Sequence, residues 1–316
     1  PILWQFSRRQ TFPMQSVETL VAALRTIVGE AHLIDDPAEL AAASADLFPF
    51  PPPLPAALIA RPGSTDEVAS VVSAATRAGF PVVARGAGLS YTRGLAAPAP
   101  ALVVDTARLD RIDIHADDLY AVVGSGVSWQ RLAEALAPLG MRSMVPGPIS
   151  GAVTTVGGAV SQYVPGSMDG VLGVRVVLAD GTVVTTGSGA REGASPFHRH
   201  AGPDLTGLFI GDCGAFGIKT EVVLRLVREQ SAAFASFAYS DPLAMIDDIL
   251  ELRAAGVVTR MLAMDQSCGE EAGRLEAGEA LKTAGAVASA AGSALGALRD
   301  VASMVRGKFD LAAARW

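Results

Sequence analysis

Thr154-Thr155-Val156-Gly157-Gly158-Ala159-Val160-Ser161 is the stretch on which the reading of this chain turns. It follows Pro146-Gly147-Pro148-Ile149-Ser150-Gly151, and the two together hold six glycines and prolines and four hydroxyl side chains. So small and polar a run is not core material. It suits backbone N–H and hydroxyl donors passing along an extended polar ligand. Two further runs share this character. Arg85-Gly86-Ala87-Gly88-Leu89-Ser90-Tyr91 follows a short apolar strand, Pro81 to Ala84, and glycines so spaced let several N–H groups converge on an anion such as phosphate. Gly211-Asp212-Cys213-Gly214-Ala215-Phe216-Gly217-Ile218 carries a glycine every third residue directly before an alternating strand. Each run taken alone reads equally well as a tight turn with no ligand.

The first run does not meet the G-x-G-x-x-G dinucleotide pattern. Tyr91 stands at the third glycine position, and no apolar helix follows before Pro98 and Pro100. A nicotinamide-type Rossmann site is therefore not expected.

Outward from these loops, Ala57 to Ala60 reads as a strand and Ser64 to Gly79 as a helix. The helix is capped by Ser64 or Thr65, with Asp66 and Glu67 in its first turn and Val68, Val71, Val72 and Ala75 as the buried stripe. With Pro81–Ala84 and a third strand at Leu102–Asp105, the strand–helix–strand order predicts a small parallel sheet. Residues 111–114 and 119–124 are extended, and Ser128 to Leu139 is a helix ended by Gly140. From Val171 the pattern changes to alternation. Asp180-Gly181 between apolar runs predicts a hairpin, and Ile218 to Val227 predicts another strand of a mainly antiparallel second part.

At the N-terminal side, 16–29 reads as an amphipathic helix with Ser16 as its cap, and 37–46 as a short helix opened by Pro37. The proline-rich Phe48–Pro53 is a stiff connection and marks a boundary. Met14 is the expected natural start, with 1–13 as an artefact. A strand at 232–239, a helix at 242–255 capped by Asp241 and a strand at 257–264 open a further domain. Residues 283–298 carry no charge and read as a buried or partner-packed helix, too short to span a bilayer.

Half of the 316 residues are hydrophobic and 18% are charged, which excludes a disordered chain. The net charge is −7, Arg8-Arg9 is the only adjacent basic pair, and no basic stripe exists to follow a phosphate backbone, so nucleic acid is not an expected partner. Two cysteines, Cys213 and Cys268, build neither a disulfide framework nor a zinc site. His198 and His200 could pair on a metal, but no third ligand is evident and surface histidines are the simpler reading. With no secretory signal or transmembrane segment, the expected location is cytoplasmic, with attachment to the periphery of the inner membrane as the alternative.

Taken together and in order, the three loops resemble the PCMH-type FAD-binding domain of the vanillyl-alcohol-oxidase and p-cresol-methylhydroxylase superfamily, on its D-lactate, glycolate and 2-hydroxyacid dehydrogenase branch. The resemblance covers about residues 54–228. It rests on Ile59 to Val68, on Pro81 through Ser90 as a pyrophosphate loop, on Thr154 to Gly158 as the central glycine pair, on Val171 to Gly181 as the hairpin, and on Asp204 to Gly211 leading into the last glycine motif.

The resemblance implies an α+β fold of two subdomains with FAD stretched between them. The implied organisation is an N-terminal helical arm at 1–53, the FAD-binding domain at 54–228 and a partial substrate or cap domain at 229–316. It implies that Arg85, Gly86, Ala87, Gly88, Leu89, Ser90, Tyr91, Pro146, Gly147, Thr154, Gly157, Gly158, Ser161, Gly214, Gly217 and Ile218 hold the cofactor. It implies hydride transfer from a small 2-hydroxy acid to the flavin and onward passage of electrons to oxygen, a quinone or an electron-transfer protein. Covalently flavinylated members carry a histidine where Leu89 stands, so the FAD is expected to be non-covalent. Asp212, Cys213, Ala215 and Phe216 replace the Ser, Glu, Thr and Leu of the family's last motif, which leaves the glutamate's role without a carrier.

The resemblance also implies a cap longer than the stretch after residue 229. The chain is therefore expected to stop inside it, to leave the catalytic residues unassigned and to turn over a 2-hydroxy acid poorly by itself. A flavin-binding module without its own turnover, completed by a partner subunit, is the alternative.

Overall fold

The computed structural model describes residues 14–47, 54–95, 100–148, 150–164, 167–200, 202–230, 237–256 and the single positions 258, 261 and 263. Helix α1 (Met14–Val28) starts two residues earlier than expected, so Ser16 lies inside its first turn. A two-residue strand, β1 (Leu33–Ile34), follows, which the sequence reading did not contain. Helix α2 (Pro37–Ser44) is capped by Asp36, whose carboxylate accepts from the N–H groups of Ala38 and Glu39. Strand β2 (Leu58–Ala60) leads into α3 (Thr65–Arg77). The α3 cap is reciprocal: Ser64 Oγ accepts from Glu67 N–H, while the Glu67 carboxylate accepts from Gly63 N–H. Strands β3 (Val82–Arg85) and β4 (Leu102–Asp105) complete a sheet of order β1-β2-β4-β3. Its last three strands are parallel as predicted, and β1 closes the β2 edge in antiparallel register.

The second half holds β5 (Ile112–His115), β6 (Tyr120–Gly124), α4 (Trp129–Leu136), β7 (Met141–Ser143), α5 (Val156–Gln162), β8 (Val171–Val177), β9 (Val183–Thr185) and β10 (Ile218–Arg228). The order β5-β6-β10-β8-β9 is antiparallel throughout, with β7 paired to the far end of β10. Both α4 and α5 pack their apolar sides on this sheet: Leu132, Leu136, Val156 and Val160 join Val123, Val174, Val222 and Leu224 in one buried cluster.

A second cluster unites Leu20, Leu24 and Val28 of α1 with Val68, Val71 and Val72 of α3 and the small sheet. Val177 and Ile218 of the large sheet also enter it, so the two sheets share a core at this point. Thr65 Oγ1 donates to Thr220 Oγ1 at 2.9 Å across the same seam.

Helix α6 (Pro242–Ala254), capped by Asp241, buries none of its residues. Phe48–Pro53, the first part of the strand expected at 232–239 and the segment 283–298 lie outside the described residues, as does most of the strand expected at 257–264. No described helix is long and apolar enough to cross a membrane.

Candidate functional site

The loop after β3, the start of α5 and the loop before β10 converge on one cleft of about 970 Å³. Arg85, Gly86, Ala87, Gly88, Leu89, Ser90 and Tyr91 form one wall. Thr154, Gly157, Gly158 and Ser161 form the back, and Gly214, Gly217 and Ile218 the opposite wall. Pro146 and Gly147 do not line the cleft. A β-carbon on Gly147 would press on the Trp129 side chain, so this turn packs on α4, and the lining begins at Pro148.

The reading of 154–161 as wholly non-core is corrected. The segment is mostly helical, with Thr155 Oγ1 accepting from Gly158 N–H at 3.2 Å, and Val156, Ala159 and Val160 are buried. About two turns of helix put Val156, Ala159 and Val160 on the buried side, while Gly157, Gly158 and Ser161 line the cleft. Gly157 is needed for contact: a β-carbon there would collide with Ser125, including its carbonyl oxygen at 3.0 Å.

The first loop closes over its own arginine. Gly88 has φ +74°, a conformation glycine adopts without strain. Beneath it lies Arg85, 4% exposed. Its Nη1 donates to the Ala43 and Ala45 carbonyls at 2.9 and 3.0 Å, at the end of α2, and Thr106 Oγ1 donates to its own carbonyl. Arg85 Nη2 has no hydrogen-bond partner among the described residues. Burial pulls the guanidinium below its usual pKa, opposed by Asp105 and Asp46.

The third loop is organised by Asp212, a residue the family pattern does not carry at this position. Its carboxylate accepts from Gly214 N–H at 3.0 Å, from Phe216 N–H at 3.3 Å and from Lys219 Nζ at 2.5 Å. The two side chains are 0% and 2% exposed. Burial lowers the pKa of Lys219 and the bond to Asp212 raises it, with burial the larger effect. Cys213 takes a left-handed conformation with φ +52°. Gln162 Oε1, at the end of α5, accepts from Thr92 Oγ1 at 3.1 Å and faces Cys213 Sγ at 3.8 Å, so one amide ties the two outer walls together.

Thr106, Ser125, Thr155, Gln162 and Lys219 also line the cleft and were not among the expected residues. Thr106 and Ser125 carry no local signal, since strand pairing brings them in. Lys219 carried none either: its alternation with Glu221 and Arg225 places it on the polar side of the strand, whereas the structure buries it where the β10–β8 register shifts. Ser125 Oγ is buried and has no hydrogen-bond partner among the described residues. Elsewhere, Arg199 grips Asp204 through Nε and Nη2, with His198 and His200 beside them. Among the described residues, no group of three metal-ligating side chains occurs.

The donor set suits a long polar anion. Backbone N–H groups of a glycine loop, several hydroxyls and two buried cations face a space whose size is at the upper end of small-molecule sites. Two buried polar atoms of the cleft lining, Arg85 Nη2 and Ser125 Oγ, lack partners among the described residues.

Residues 56–187 match the family profile of an FAD binding domain. The chain is 33% identical over 175 residues to a mitochondrial D-lactate dehydrogenase [cytochrome] of Arabidopsis thaliana, covering 52% of this chain and 29% of that protein. It is 31% identical over 193 residues to glycolate oxidase subunit GlcD of Bacillus subtilis, covering 58% and 39%. Its fold is shared with p-cresol methylhydroxylase, with a TM-score of 0.67 at 19% identity, over 78% of this chain and 51% of that one. The chain thus spans about half or less of the length of these relatives.

Proposed function

We propose that the cleft in this FAD binding domain is the cofactor site of a flavin-dependent oxidoreductase that oxidises the CH–OH group of a small 2-hydroxy acid. The observation that carries the reading is the convergence of three separate glycine-rich loops on one cleft that retains buried, unpartnered donors. The loop at 86–90 is the candidate pyrophosphate cradle, with Gly86 against Thr155 and Gly88 against Arg85. Similarity to D-lactate dehydrogenase and glycolate oxidase supports the substrate class.

FAD, when bound, supplies a two-electron acceptor for the substrate C–H; the protein supplies placement and electrostatics. The Arg85 guanidinium sets positive charge under the loop, and its bonds to Ala43 and Ala45 hold it there. Thr155 and Ser161 present hydroxyls along the back wall, and Gln162 keeps the walls at a fixed spacing. Leu89 offers no nucleophile, which supports non-covalent FAD.

One observation favours the second reading, a flavin-binding module without turnover of its own. Among the described residues lining the cleft, the ionisable side chains are Arg85, Tyr91, Cys213 and Lys219, and none is a carboxylate or imidazole suited to take a hydroxyl proton near neutral pH. The acid–base group, the electron acceptor (oxygen, a quinone or an electron-transfer protein) and any partner subunit would then lie beyond this cleft.

Purified protein titrated with FAD, followed by flavin fluorescence, tests the site. Acid precipitation of the loaded protein tests the mode, with yellow supernatant and colourless pellet expected. Anaerobic mixing with D-lactate, glycolate and related acids separates the two readings: bleaching of the visible flavin band supports a complete enzyme, and an unchanged band supports the module. Protein that takes up no FAD overturns both.

A further inference from the structure

We infer that Lys219 is a cofactor-contacting residue: its ammonium, held in place by Asp212, donates to an acceptor atom of bound FAD, with the Ser125 hydroxyl as a neighbouring contact. The inference rests on the cleft being the FAD site and adds to it two residues outside the three glycine-rich loops.

Lys219 is the second residue of β10, its side chain 2% exposed, and it lines the cleft. Its ammonium has three N–H donors. The structure gives Asp212 as its hydrogen-bond partner among the described residues, leaving donor capacity to spare at the cleft wall. A buried ion pair is weak evidence of a stabilising role, because a well-packed apolar pair commonly serves stability as well or better. Asp212 does not need Lys219 to shape the turn, since the Gly214 and Phe216 N–H groups already bond to its two oxygens. What Lys219 contributes is a fixed cation at the cleft.

Ser125 reinforces the point from an adjoining strand end. Its backbone N–H donates to the Thr220 carbonyl at 3.0 Å, which puts it beside the residue following Lys219. Its hydroxyl is buried at 1% residue exposure and has no partner among the described residues, and it lines the same cleft. Buried polar groups are rarely left unpaired in a native fold, so an orphan hydroxyl lining the same cleft as an under-used ammonium points to a shared ligand with acceptor atoms. The ring carbonyls and nitrogens, the ribityl and ribose oxygens and the phosphates of FAD all qualify chemically.

The test uses a double variant, because Lys219→Met alone would strand the Asp212 carboxylate. In D212N/K219M the amide oxygen can still accept one of the two loop N–H bonds while both charges are removed, and the apo melting temperature reports what loss of the other costs. FAD, ADP and FMN are titrated separately into wild type, the double variant and Ser125→Ala, and the apo melting temperature of each is recorded. The expected result is an apo protein that melts cooperatively, with FAD affinity at least tenfold weaker in the double variant and severalfold weaker in Ser125→Ala. The ADP and FMN arms show which half of the dinucleotide makes the contact, and a loss in either supports the inference. Unchanged FAD affinity in a folded double variant overturns it while leaving the FAD site intact. Wild type that binds no FAD overturns both. Should the double variant not fold, Lys219→Arg decides: it keeps the charge opposite Asp212 but displaces the donors, and undiminished affinity there overturns the inference.

Discussion

Arg85 and Gly88 compete for the same space: the guanidinium of Arg85 lies where a β-carbon on Gly88 would stand. The loop therefore packs onto a cation donated by its own first residue, and that cation is fastened to the last carbonyls of α2. Gly88→Val should displace Arg85 and strain a backbone at φ +74°, at a cost of about 1–3 kcal/mol. At 1.4 kcal/mol per tenfold, FAD should bind roughly five- to more than a hundredfold more weakly. Fluorescence titration beside Arg191→Ala, an exposed control, checks this, and equal affinities would remove Gly88 from the site.

The adjacent glycines of α5 should behave differently. At Gly157 a methyl group collides with Ser125, carbonyl oxygen included, whereas at Gly158 it meets Thr155 Oγ1 at 3.1 Å and nothing else within 4 Å. Gly157→Ala should destabilise the fold by about 1–3 kcal/mol, as overpacking does. Gly158→Ala should leave the urea midpoint near wild type and weaken FAD instead. Both variants are read by urea unfolding of the apo protein and by FAD titration, and identical behaviour would contradict the division.

The hydroxyl pair Thr65–Thr220 joins the two sheets. Thr220→Val leaves the buried Thr65 hydroxyl without its acceptor, which should cost about 1–3 kcal/mol. Adding Thr65→Val should recover part of that loss, because both polar partners are then gone. Unfolding midpoints of the two singles and the double give the coupling; strict additivity would show the bond to be unimportant.

Acid should weaken the protein partly through Asp204. Hydrogen bonds from Arg199 hold its carboxyl below the ordinary value of 3.8, against the smaller opposing effect of burial. A depressed folded pKa means the folded state prefers the carboxylate, so the contribution is complete above about pH 5 and is lost as pH falls below about 4. Urea midpoints between pH 6 and pH 3, on the order of the carboxylate range, should fall less steeply for Asp204→Asn than for wild type. Parallel slopes would exclude Asp204 from the acid response.

Much of this architecture could be read from residues in series. Ser64 with Glu67 announced α3, Asp180-Gly181 announced the β8–β9 hairpin, and three glycine loops in order announced the cleft. Short-range signals of this kind survive because caps and turns are decided by a few neighbours. What escaped depends on partners far away in the chain. Leu33–Ile34 is a strand because β2 lies alongside, and Met141–Ser143 because the end of β10 does. Val156–Gln162 was hidden since its glycines argue against helix and its burial against the large sheet argues for it. Ser125 and Thr106 reach the cleft through strand pairing, and Gly147, expected at the ligand, packs against Trp129 and does not line the cleft.

The pairing of β1 with β2 bears on how this protein can be cut. A fragment begun at residue 54 would strip away β1 and leave the outward-facing N–H and C=O groups of β2 without strand partners on a bare, apolar sheet edge, a template for edge-to-edge aggregation. It would also unroof Leu58, Val68 and Val72, which α1 now covers with Leu20 and Leu24. A minimal flavin-binding fragment should therefore keep the helices from Met14 onward, and one trimmed to the boundary suggested by the proline run should be recovered mainly as insoluble material.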